Sequence, residues 1–432
     1  MPLEQTPFSP IDELLDLTDS DQYPVNVHIE AKAPGTLDAA RMREAVHAAL
    51  DAHPLARARK VPPKQSDKQL YWEITETAGI DPFLVVDAGD EEAVSLARNQ
   101  LLGTRVPLHE SPPLRVWLVR CGSGDHLILN VNHAAADGIG TLRFMRSVLR
   151  AYTGEDDDTG SMDPLQARDV EALYNPTTQA EKIKRFKSTA ASLKTQLPEI
   201  TNAVVVSDSD RITYGCHHYT LELEDVAELN PRRYVQATFN DLLVAAMHRT
   251  VEVWNERQGE DSALVRVTSP VNLRPRDWWF EVFGNFAMSF ATNSEADQRM
   301  DPQSLMEAVV EQSRVAKDEG FAESMLLGLS VSARLPVWVK NLMFQGSGGS
   351  SVTTAVVTNA GRISEALSFG ADGEALEVWM SPPAVMPDGL GLGITSYNGR
   401  IHLSFRHCYR LLDDDAVADF AELFHESLRW LS

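Results

Sequence analysis

Runs of strict apolar–polar alternation and runs with an apolar residue every third or fourth position follow one another along this chain. Val25, Val27 and Ile29 alternate with polar neighbours and predict a strand. Met42, Val46, Ala49 and Leu50 form one helical stripe, with Thr36 or Asp38 able to cap its start and His53-Pro54 ending it. Strand-like runs follow at 70–75 and 83–87, then a helix at 90–102 with Ala93, Leu96, Ala97 and Leu101 or Leu102 facing inward. Pro112-Pro113-Leu114-Arg115 opens a strand at 116–121, and Gly122-Ser123-Gly124-Asp125 is a hairpin turn into the next. That strand carries Leu127, Leu129 and Val131 on one face. If it runs through His133, the period of two puts His133 on the same face and Asn132 on the other. Three alanines then lead into Asp137-Gly138, a turn signal, and 141–152 reads as a helix.

The second half repeats the mixture without a close sequence repeat. Alternation starts near Tyr214, 239–251 is a mostly buried helix, and 264–273 is a strand ending in Ser269-Pro270-Val271-Asn272-Leu273-Arg274. Further strands are predicted at 283–290 and 352–358, with a helix at 304–315 between them. Asn398-Gly399 joins strands at 392–396 and 401–405, a dipeptide suited to a positive-φ hairpin turn. A last helix from Asp414 carries Val417, Phe420, Phe424, Leu428 and Leu431 on one stripe. Both halves mix strands with helices, which points to two α/β lobes with helices packed on mixed sheets.

Composition sharpens this in three places. At 432 residues the chain exceeds one typical core. After Tyr152 an acidic loop at 154–160 and a run with Lys182, Lys184, Arg185, Lys187 and Lys194 interrupt the pattern. The expected organisation is therefore an N-terminal lobe at 1–165, a connection at 166–210 and a C-terminal lobe at 211–432. The basic run reads first as a solvated helix face and second as a dock for an acidic partner. With 62 acidic against 39 basic side chains and a formal charge of −23, sequence-independent nucleic-acid binding is disfavoured. No basic, apolar leader opens the chain and no stretch is a membrane span, so a cytoplasmic location is expected.

Cys121, Cys216 and Cys408 are far apart, and no Cys/His group has metal spacing apart from Cys216-His217-His218. Adjacent residues on a strand face opposite ways, so no metal is expected there. Gly346-Ser347-Gly348-Gly349-Ser350-Ser351 lacks the context of a phosphate loop, Gly389–Gly393 precedes a strand rather than a helix, and no Gly-x-Ser-x-Gly elbow is present. His402 and His407 read as surface or ladder residues. His133, at the end of an apolar strand before a small-residue loop, suits the mouth of a cleft. It suits equally a core histidine satisfied by Asp137, and the local pattern leaves both open.

Asn132-His133-Ala134-Ala135-Ala136-Asp137-Gly138 resembles the His-His-x-x-x-Asp-Gly motif of the condensation-domain superfamily, which has the chloramphenicol-acetyltransferase-like fold. Other landmarks resemble it in the same order: Gly35-Thr36-Leu37-Asp38 through His53-Pro54-Leu55, Pro112 to Arg115, Pro270 to Arg274, Gly284-Asn285-Phe286 and Thr358-Asn359-Ala360-Gly361. Asn132 replaces the first His, and His133 corresponds to the His assigned to chemistry. The free-standing bacterial acyltransferases, polyketide-associated or of wax-ester-synthase type, are the nearer comparison.

The resemblance implies two chloramphenicol-acetyltransferase-like lobes in a V-shaped pseudo-dimer with a tunnel between them. It implies acyl transfer without a covalent acyl-enzyme, from a coenzyme A or carrier-protein thioester to a hydroxyl or amine. No bound cofactor is expected; acyl-coenzyme A or an acyl-phosphopantetheine thioester is a co-substrate, and an acyl carrier protein is an expected partner. His133 Nε2 would be the general base, Asp137 an ion-paired structural partner of Arg274 or Arg276, and Gly138 a close amide. Asn132, Asn272, Asn285 and Asn359 fall among the substrate-side positions. An ordinary turn or ladder role is the preferred reading for Asn272 and Asn359, though not for Asn285, which is the strongest of the set. A non-catalytic carrier-binding member of the fold, or an epimerase or cyclase using the same His, are the alternatives.

Overall fold

The computed structural model describes residues 4–157, 178, 180–181, 183, 200–207, 212–275, 282–345, 353–384 and 389–432. Its first half runs β1 (Glu4–Pro7), α1 (Pro10–Thr18), β2 (Asn26–Lys32), α2 (Ala39–Ala52), β3 (Ala58–Lys60), β4 (Tyr71–Ile74), β5 (Phe83–Asp87), α3 (Glu91–Gly103), β6 (Leu114–Arg120), β7 (His126–Asn132) and α4 (Gly138–Thr153). The second half runs β8 (Tyr214–Leu221), α5 (Leu223–Glu228), α6 (Phe239–Arg257), β9 (Leu264–Asn272), β10 (Ala287–Glu295), α7 (Ala296–Arg299), α8 (Pro302–Asp318), α9 (Phe321–Ser332), α10 (Val337–Gln345), β11 (Ala355–Arg362), β12 (Glu377–Ser381), β13 (Leu390–Tyr397), β14 (Arg400–Cys408) and α11 (Asp414–Leu431).

A five-stranded sheet has the order β12-β2-β7-β6-β5 and a six-stranded sheet the order β10-β9-β11-β13-β14-β8; β1, β4 and β3 form a small third sheet. In the five-stranded sheet, Leu127, Leu129 and Val131 face the core shared with Met42, Val46, Leu50, Phe144 and Val148. On the opposite face, Ile128 and Val119 pack on Val94, Ala97 and Leu101 of α3. The alternation of β7 thus serves two helical layers at once. The six-stranded sheet buries one face under α6, α8 and α11, including Phe405, Phe420, Phe424 and Leu428. At its β8–β14 edge it meets the first half: Arg406 donates to the carbonyls of Asn26 at 2.7 Å and Leu102 at 2.9 Å, and Cys216 N donates to Asn99 Oδ1 at 2.9 Å.

Two expectations change and one is narrowed. The inward stripe of α3 is Val94, Ala97, Arg98 and Leu101, while Leu96 is 65 % exposed, because Arg98 is drawn in by the buried Glu30 carboxylate. The strand placed at 283–290 begins at Ala287, leaving Gly284-Asn285-Phe286 in the approach to it. Of the two readings of His402 and His407, the ladder one holds: both lie within β14 and are buried. Three strands among the described residues escaped the sequence reading: β1 and β3 of the small sheet, and β12, which comes from the second half, pairs antiparallel with β2 and completes the five-stranded sheet. Among the described residues no helix is long and apolar enough to cross a membrane. The basic run at 182–194, apart from Ile183, the loop at 346–351 and Arg276 lie outside the described residues, as does most of the connection at 166–210.

Candidate active site

The site starts where β7 stops. The strand ends at Asn132, whose buried carboxamide donates to Asp19 Oδ2 and to Val106 O, both at 2.9 Å, and accepts from Ala134 N at 3.0 Å. With its backbone so held, the chain leaves the sheet, and His133 N donates to Val25 O at 2.9 Å. Ala134, Ala135 and Ala136 are fully buried, so only small side chains fit this corner. His133 emerges on the wall of an open cavity of about 110 Å³. Burial lowers the imidazole pKa, against the pull of the Asp137 carboxylate and the carbonyls of His133 and Ala136. The ring is therefore a neutral base at neutral pH.

Asp137 caps α4, accepting from Gly140 N at 2.9 Å through Oδ1. Its Oδ2 accepts from Arg274 Nη1 at 2.7 Å and from Phe286 N at 2.9 Å. Arg274 also donates to Gly284 O at 2.8 Å, and its guanidinium lies 4.6 Å above the Phe286 ring. Burial opposes ionisation of Asp137, but Arg274 and the two amides outweigh it and hold the carboxyl below its usual value. Of the two arginines named from sequence, Arg274 pairs with Asp137, and Arg276 lies outside the described residues. The pair ties the start of α4 to the β9–β10 approach across the molecule. Gly140 belongs to the same junction, since a Cβ there would stand 2.7 Å from Gly284 O.

His133, Asp137 and Gly138 line the cavity together with Val27 and Ile139. The facing walls are Pro270, Asn272, Arg274 and Ala287, then Thr358 to Ala360, and Met380 to Pro382 from β12. Asn272 and Asn359 thus reach the cavity, although their side chains also serve local turns: Asn272 Oδ1 accepts from Arg274 N and Asn359 Oδ1 from Gly361 N. Asn285, the strongest candidate from sequence, is fully buried behind the wall. Its Nδ2 donates to His133 O at 2.9 Å, so it holds the backbone of His133 instead of facing a substrate. Asn132 likewise does not line the cavity. Met380 and Ser381 were missed because their short strand gave no periodic signal; Met380 Sδ would meet a Cβ on Gly138 at 2.6 Å.

No family model matches the chain. In structure it resembles the starter condensation domain of rhizomide synthetase RzmA, solved with C8-CoA and Leu-SNAC, at a TM-score of 0.69 and 15% identity, covering 99% of this chain and 94% of that one. It resembles the TRI3 trichothecene 15-O-acetyltransferase of Fusarium sporotrichioides at a TM-score of 0.70 and 12% identity, covering 99% and 95%. In sequence it is 31% identical over 427 residues to the uncharacterized protein Rv2305 of Mycobacterium tuberculosis, covering 97% of each. The chain belongs to one family with that mycobacterial protein, and its fold is that of the condensation domains. The Asn132–Gly138 segment and the β9–β10 approach are the elements that meet here, at the Asp137–Arg274 pair.

Proposed function

We propose that this chain is an acyltransferase that moves an acyl group from a thioester, on coenzyme A or a carrier protein's phosphopantetheine arm, to a hydroxyl or amine. The observation that carries the reading is a neutral imidazole, His133, on the wall of a cavity that both halves of the chain enclose. As the acceptor oxygen or nitrogen attacks the thioester carbonyl carbon, His133 Nε2 takes its proton. The C–S bond then breaks, and the leaving sulfur receives that proton from the imidazolium. No acyl-enzyme forms.

Gly138 opens α4, where helix amides lack intrahelical partners and the helix dipole is positive, so its N–H suits the developing oxyanion. Asp137 is committed to Arg274, Phe286 N and Gly140 N, which supports a positioning role and not proton transfer. Asn272 and Asn359 reach the cavity and supply polar contacts to substrate. A non-catalytic reading rested on Asn132; since that side chain braces the loop, its identity bears on the scaffold more than on the chemistry.

The experiment is thiol release from acyl-thioesters of both carriers in the presence of alcohols and amines. His133→Ala should slow release by about 10²–10⁴ without altering the fold. Equal release by wild type and variant would sink the general-base assignment.

A further inference from the structure

Below the cavity, where the β8–β14 edge of one sheet meets β2 and β12 of the other, lies a buried cluster that acyl transfer does not use. The alternation that separates His217 from its neighbours puts Cys216 and His218 on one face of β8, and His28 of β2 faces them. A ligand atom from each of the three lies within 4.8 Å of the other two. We propose that His28, Cys216 and His218 form a binding site for a divalent cation of borderline softness, Zn²⁺ being the type.

Independent features support a metal over a plain core cluster. The Nε2 of His218 is enclosed with no hydrogen-bond partner, a costly state for a buried polar atom that a metal–nitrogen bond would relieve. Its ring is fixed by stacking on Trp379, with centroids 4.5 Å apart. His28 is oriented from behind: its Nε2 lies 3.2 Å from Glu30 Oε2, and Glu30 is itself gripped by Arg98 at 2.6 and 2.8 Å and by His126 Nδ1 at 2.6 Å. A carboxylate behind an imidazole is the arrangement that fixes the tautomer of metal-binding histidines and frees the other nitrogen. That other nitrogen, Nδ1, lies 3.2 Å from Ser381 Oγ, inside the cluster.

Two imidazoles and a thiolate select Zn²⁺ over the oxygen-seeking Mg²⁺ and Ca²⁺. On binding, the Cys216 S–H bond breaks, its proton leaves to solvent, and sulfur and two nitrogens donate lone pairs to the ion; a water completes four ligands. The charges facing the site are Glu30, Arg98 and Arg406, with His126 beside Glu30. Glu30 offsets Arg98, whereas Arg406 favours the thiolate and opposes the cation. The ion would join β2 to β8 and so pin the two sheets together beside Ser381, which also lines the cavity.

The test uses the full chain, reduced and freed of metal by chelation, titrated with Co²⁺ and then Zn²⁺. The expected result is uptake of one ion per chain with a sulfur-to-cobalt charge-transfer band, displacement by Zn²⁺, and release of one proton. Cys216→Ser should lose the band, and His218→Gln should weaken uptake at least about tenfold. Should the Ser variant not fold, the His218→Gln titration carries the assignment. No stoichiometric uptake by wild type, or a band that survives Cys216→Ser, overturns the site.

Discussion

At the scale of single residues, the chemistry turns on two side chains that burial treats oppositely. His133 loses its proton more readily than a free imidazole because the ring is desolvated, so the basic form persists below the ordinary value of about 6.5. The free-enzyme profile of kcat/KM should therefore stay flat from pH 8 through that value and fall only at more acid pH, on a single limb that His133→Ala removes. A limb centred above the ordinary imidazole value would contradict the assignment. Asp137 keeps its charge because Arg274 faces it. Arg274→Gln strands a buried carboxylate, and a loss of about 3–5 kcal/mol is expected in denaturant unfolding. Adding Asp137→Asn should recover part of that loss, since both charges are then gone. A single-variant change within about 0.5 kcal/mol would show that the pair is not holding the halves together.

Among the elements, β7, its loop and α4 were legible because three local signals agree: alternation in 127–131, alanines that fill a corner, and an Asp that caps a helix. The C-terminal hairpin was legible for a similar reason, since Asn398 and Gly399 both take positive φ. β12 was not, because it is short, sits between Gly373 and Pro382-Pro383, and is created by pairing with a strand from the far end of the chain. The turn role preferred for Asn272 and Asn359 is present in their bonds from Arg274 N and Gly361 N, whereas the place of Asn285 turns on the same kind of non-local fact. β10 begins later than its pattern indicates, so Asn285 sits behind the wall, while Asn272 at the end of β9 and Asn359 within β11 reach the cavity. Gly391 and Gly393 also acquire their meaning only here. They do not cradle phosphate; they let the β12 segment cross β13 at close range, and a Cβ on Gly393 would collide with the Met380 carbonyl. Gly393→Ala must displace backbone, so it should cost at or above the ~1–3 kcal/mol of ordinary overpacking and lower activity by shifting Met380 and Ser381. Gly35→Ala, with open space around it, is the control and should change neither. Equal melting temperatures for the two variants would refute the close crossing.

The whole molecule carries a charge of −23, which invites the expectation that mild acid relieves self-repulsion and stabilises it. Buried histidines argue the reverse. His53 and His248 have pKa values lowered to about 3, and His407 to about 4, all mainly by desolvation. In the unfolded chain each returns to about 6.5, so between these limits the unfolded state binds more protons. Their contribution is therefore complete above pH 6.5 and is lost progressively as pH falls toward the folded values. At pH 5 the loss amounts to roughly 1–2 kcal/mol per histidine, and three together rival a sizeable part of a domain's net stability. Asp and Glu begin to protonate only near ~4, so relief of repulsion is small over the same interval. Unfolding in urea should thus shift to clearly lower midpoints from pH 7 to pH 5, and His248→Gln should flatten part of that dependence, because Gln can keep a hydrogen bond to Thr292 or Ser294 without titrating. A midpoint that holds or rises at pH 5 would mean that surface charge, not the buried imidazoles, governs the acid limit.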